Sequence, residues 1–186
     1  MRGEAVFNLA TSRHSVLGMS VLTALILETA VFPHLAVHGI RPDLVTVVVA
    51  CWGLLYGPRE GFLAGLGAGL VQDLLFTRYI GLFALAGALA GSLMGTVETK
   101  IFKESVWVST AAVGVAVLGH EFVVWVLLRG LGVPAPALSL LTVALPGALY
   151  STVFAPFVYH RLLLFRFREW AREREMTAGA GQVGQG

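Results

Sequence analysis

The chain has 186 residues, 56% hydrophobic and 13% charged, whereas an ordinary soluble domain carries about a quarter charged residues. Its mean hydropathy of +0.79 excludes water as the main solvent. Its apolar residues come in long successive runs rather than the short alternating segments of an outer-membrane barrel, so helices are the spanning element. A net charge of +2 is too small to point to nucleic acid and leaves membrane lipid as the first partner.

In chain order, the first apolar run is Ser15 to Pro33 (15–33). It is too long for a signal h-region and lacks a small-x-small cleavage site. Its ten strongly apolar residues offer roughly −4 kcal/mol of insertion energy against roughly +3 for Glu28, so the run inserts despite the buried carboxyl. The second run, 43–56, opens with Arg41-Pro42-Asp43, where Pro and Asp suit a helix N-terminus. It carries the chain's one cysteine, Cys51, which has no disulfide partner and reads as a small buried hydrophobe. Gly57-Pro58 breaks the chain before the third run, 59–76. The fourth is 80–97, followed by the charged stretch Glu98 to Glu104; the fifth is 106–128, and the sixth is 138–160. Runs two to four fall short of the ~20 residues a span usually needs. The fold class is an all-α integral membrane bundle of about six transmembrane helices, forming a single polytopic domain over 1–176.

Positive charge stays preferentially in the cytoplasm. With the N-terminus inside, the inner segments hold ten Lys and Arg (Arg2, Arg13, Arg59, Lys100, Lys103, Arg161, Arg166, Arg168, Arg172, Arg174) and the outer segments only Arg41, Arg78 and Arg129. Both termini are therefore expected in the cytoplasm. The segment 161–176 interleaves five Arg with Phe165, Phe167 and Trp170, as a basic stop-transfer flank with aromatic anchors does. Glu169, Glu173 and Glu175 dilute its charge and weigh against a helix lying on the inner leaflet. The last ten residues, 177–186, have nothing to bury and are expected to be disordered.

Gly57, Gly61, Gly65 and Gly69 recur every four residues in the third run, and Gly87, Gly91 and Gly95 do so in the fourth. Small residues at this spacing let backbones approach closely, which in lipid drives helix association. Packing between helices three and four, or against their neighbours, is the plainer use of these ridges; a face for a partner helix is the other. Asp73 continues the ridge one turn beyond Gly69, and Glu28 and Glu121 lie deeper in their runs. Intramembrane acids are costly and are enriched at functional sites, so structural hydrogen bonds, partner contacts and ligand binding all stand open for them. No soluble-enzyme motif is present, and neither a metal nor a catalytic set is evident. His34 and His38 share an i, i+4 spacing but lack acidic or cysteine ligands nearby and read as a surface pair.

The series Ile40-Arg41-Pro42-Asp43-Leu44, Gly57-Pro58-Arg59-Glu60-Gly61, Gly65, Gly69, Gln72-Asp73-Leu74-Leu75 and Gly81-Leu82, ending in a glycine-spaced fourth helix, resembles the rod shape-determining protein MreD family. The motif-bearing part runs from Arg41 to about Gly95. The resemblance implies a non-catalytic protein of the bacterial inner membrane, without cofactor, acting in the cell-elongation machinery. It implies association with the bitopic protein MreC and, through it, with MreB filaments, the RodA glycosyltransferase and its class B penicillin-binding partner. It further implies a fold like the substrate-binding membrane subunits of energy-coupling-factor transporters. Two functions follow: a scaffold for partner helices, or a transport subunit in which Glu28, Asp73 and Glu121 would converge on one cavity.

Overall fold

The computed structural model describes residues 2–34, 40–76, 79–101, 106–134 and 136–183. Among these there are six helices and no strand: α1 (Arg2–Ile26), α2 (Leu44–Tyr56), α3 (Pro58–Phe76), α4 (Leu82–Ile101), α5 (Val106–Gly130) and α6 (Leu145–Val183). A π-helical turn, Leu27–Val31, closes α1, and another, Leu140–Ala144, leads into α6. Among the described residues, three stretches are long and apolar enough to cross a membrane: Arg13–Val31, Trp107–Gly130 and Leu140–Ala171.

The outer limits of the first and last helices differ from those expected. α1 starts at Arg2 rather than near residue 15, because extending an existing helix costs little per residue whereas starting one costs much. α6 runs through the basic flank as one helix to Val183, into the stretch for which composition predicts disorder. Lys103, Arg78 and His38 lie outside the described residues.

α2 is the axis of the molecule. At thirteen residues it is about 20 Å long, well short of the ~30 Å hydrocarbon layer. Every residue from Leu44 to Leu55 is buried, and α2 packs on all five other helices. The neighbours lie around it in the order α1, α3, α4, α5, α6; α3 to α6 pack side by side, whereas α1 barely touches α3 or α6 and is held chiefly by α2. A continuous apolar sequence such as VVVACWGLL suits a helix that meets protein on every side.

Polar groups pin the C-terminal end of α2. Tyr56 stacks on Trp52, with ring centroids 4.2 Å apart, and its hydroxyl donates to Glu169 of α6 at 2.7 Å. The guanidinium groups of Arg13 and Arg166 lie over the Tyr56 ring, and Arg13 also pairs with Glu60 at 2.7 Å. Glu169, expected only to dilute the charge of a flank, is thus a buried joint between α6 and α2. Gly57, at φ +92°, turns the chain directly from α2 into α3 in a backbone conformation that other residues rarely adopt.

Candidate functional site

The two glycine ridges face each other. A methyl group built on Gly65 would overlap the Gly87 carbonyl, on Gly61 the Gly91 carbonyl, and on Gly95 the backbone of Pro58. Built on Gly69, it would lie 2.6 Å from Ala84 Cα. Gly53 of α2 joins this seam, since its own added methyl would overlap the Gly91 carbonyl and one on Gly61 would lie 2.7 Å from Gly53 Cα. α2, α3 and α4 therefore meet backbone to backbone, a distance that only small residues permit. Gly61, Gly65, Gly69, Gly87, Gly91 and Gly95 are all buried, so the ridges offer no lipid-facing surface to a partner helix. The exposed side of α3 is instead its large apolar residues, among them Leu63 and Leu74.

The acids gather around the N-terminal end of α2. Asp43 caps its own helix by accepting from the Thr46 amide at 2.8 Å, while its backbone N–H donates to Ser151 Oγ of α6 at 2.8 Å. Glu28 reaches the same helix end from the π-helical turn and accepts from the Val45 amide at 2.9 Å, with Gln72 of α3 also within its hydrogen-bonding reach. The wider turn re-aims one side chain of an otherwise regular helix, a common use of π-helical insertions. Two carboxyl groups thereby satisfy amides that have no partner inside α2.

Asp73 does the same for α4 from a distance. Fully buried at the end of α3, its carboxylate accepts from the backbone amides of Gly81 and Ala84 through Oδ2, at 2.9 and 3.0 Å, and of Phe83 through Oδ1, at 2.9 Å. Gly81, at φ +102°, turns its amide toward that oxygen. The third of the sequence-derived acids, Glu121, lies on α5 beside Asp43 and the buried His120, whose Nδ1 is 3.3 Å from Asp43 Oδ2. Of the histidine pair noted in the sequence, His34 makes a 3.1 Å contact with the Ala30 carbonyl and His38 is outside the described residues.

A cavity of about 810 Å³ lies between α1 and α6, and none of the three acids lines it. Leu44 and Val48 of α2 form part of its lining, with Met19, Thr23, Phe157 and Val158 on the flanking helices. Phe32 sits edge-on against Tyr150 and Phe154 at the end near the α2 N-terminus, and Arg161 lies at the other. Met19 and Phe157 are 69% and 65% exposed, so the cavity is an apolar side groove open to whatever surrounds the bundle.

An all-helical bundle whose polar side chains are largely spent on its own helix ends, and whose outer faces are large and apolar, is an integral membrane protein. A family model described as rod shape-determining protein MreD matches residues 11–166, and the chain belongs to that family, whose members are bacterial membrane proteins that determine rod shape. Neither the curated proteins nor the solved structures give a match.

Proposed function

We propose that this protein is a non-catalytic scaffold of the cell-elongation machinery, and that the groove between α1 and α6 receives the single membrane-spanning helix of MreC. The observation that carries the reading is the apolar groove between α1 and α6, floored by Leu44 and Val48 of α2 and open at Met19 and Phe157. A helix laid there would cover the exposed walls that α1 and α6 give the groove by apolar packing, the main force between helices in a bilayer. MreB, RodA and its penicillin-binding partner would then be reached through MreC. The glycine ridges of α3 and α4 pack against each other and against Gly53 of α2, which supports placing the partner surface elsewhere.

A photo-crosslinking residue at Met19 or Phe157 is expected to capture MreC in cells, whereas one at Leu74 or Val115, equally exposed on other faces, is not. Ser20→Trp, which fills the groove from α1, should lower MreC recovery several-fold at unchanged membrane abundance. Equal capture from all four positions would remove the groove from the proposal.

The transport-subunit reading requires convergent polar groups around a ligand. Here Glu28 and Asp73 hold helix ends and the groove lining is apolar, which favours the scaffold. Any kinship with energy-coupling-factor subunits would then be one of shape.

We further propose six crossings with both termini in the cytoplasm, on the ten-to-three distribution of Lys and Arg. A reporter after Gly186 should behave as cytoplasmic, and one near Gly132 as periplasmic. A periplasmic signal from the Gly186 fusion would reverse the orientation.

A further inference from the structure

We propose that Asp43, His120 and Glu121 bind one divalent first-row transition-metal ion, with Zn²⁺ as the reference case. One donor atom from each residue lies within 4.8 Å of the other two. The 3.3 Å between Asp43 Oδ2 and His120 Nδ1 equals the edge of a tetrahedron with arms of about 2.0 Å, the usual Zn–N and Zn–O length, and a Glu121 oxygen close by closes the site with a shift of no more than about 2 Å.

A second observation points independently to a ligand. His120 is 1% exposed, and neither ring nitrogen has a hydrogen-bond partner in the described structure. A buried polar group in that condition is costly, and the contact with Asp43 does not relieve it, because the imidazole is close to the carboxylate but poorly aligned for a hydrogen bond. A cation placed between them uses the lone pair of a neutral imidazole and the charge of both carboxylates. The positive end of the α2 dipole opposes a cation, and the two carboxylates of the coordination set offset it. Asp43 keeps 14% of its side chain exposed, which leaves an entry for the ion. One imidazole with two carboxylates selects the harder divalent metals and zinc over thiophilic ones. The bound ion would tie α5 to the start of α2 and leave one coordination position for water.

The test uses the full-length protein purified in detergent, incubated with Zn²⁺, freed of excess metal and assayed for metal content, with Co²⁺ as a spectroscopic probe. The expected result is close to one equivalent of Zn²⁺, removable by chelator. Co²⁺ should show the ligand-field absorption of a low-coordinate nitrogen and oxygen site. Glu121→Gln, which keeps the size of the side chain, and His120→Ala should each weaken binding at least tenfold. If His120→Ala fails to accumulate, Glu121→Gln and the Co²⁺ spectrum decide the matter. Absence of saturable uptake by the wild-type protein overturns the proposal, as does uptake or a Co²⁺ spectrum that Glu121→Gln leaves unchanged.

Discussion

Adding one methyl group at Gly65 is expected to cost about 3 kcal/mol, the upper end of the usual overpacking penalty. The Cβ of Gly65→Ala would meet backbone rather than a side chain: the Gly87 carbonyl, and Ala88 N at 2.7 Å. Backbone cannot rotate away, so α4 must move off α3 along their shared length and forfeit many small dispersion contacts at once. Gly65→Leu should do more damage in the same way. Gly67 supplies the control, because it lies on the same helix with nothing within 4 Å of an added methyl. Gly67→Ala should be neutral or stabilising by up to about 1 kcal/mol, the helix-propensity difference between the two residues. Thermal unfolding in detergent and abundance in membranes measure both. If Gly65→Ala and Gly67→Ala unfold alike, the α3–α4 seam is not the close contact described here.

Asp73→Asn is expected to destabilise by about 2–3 kcal/mol, although it preserves shape almost perfectly. The carboxylate presents acceptors to three amides, whereas an amide side chain presents one oxygen and an NH₂ group. Whichever way Asn turns, a donor faces a donor, and at least one buried N–H loses its partner. Asp73→Ala, which abandons all three, should be worse. Loss of cell shape should therefore follow loss of folded protein, with MreC recovered normally per folded molecule. An Asp73→Asn protein that accumulates at wild-type levels yet recovers no MreC would instead give this carboxylate a role in partner contact.

Much of the bundle is readable from the residues because its joints use local signals. The positions of the six helices follow from runs of apolar residues broken at Gly57-Pro58 and at the prolines near Val133, and Asp43 after Pro42 announces the helix end that it caps. The four-residue glycine spacing announces close packing of α3 and α4, but the spacing alone does not choose between an internal and an external partner. That choice depends on Gly53, which continues the same four-residue series before Gly57 but on the preceding helix, and brings α2 onto the seam. The polar layer is harder to see. Glu28 reaches the start of α2 from within a π-helical turn, and no residue pattern announces such a turn. His120 meets Asp43 across 77 positions of sequence, and Tyr56 meets Glu169 across 113. Pairs that far apart arise from the way the helices surround α2, and neither residue signals its partner.

The two ends of α2 carry a consequence for biogenesis. Ser151 receives the Asp43 amide at one end and Glu169 receives the Tyr56 hydroxyl at the other, and both belong to α6, which leaves the ribosome after α1 to α5. An early helix of the bundle is thus fastened by a late one. Until α6 emerges, a thirteen-residue segment with half-satisfied ends sits among neighbours too few to enclose it, so the nascent chain passes through a stage in which its future centre is still exposed at the translocon. Chains that stop short of α6 should therefore be substrates for membrane proteolysis rather than smaller stable bundles.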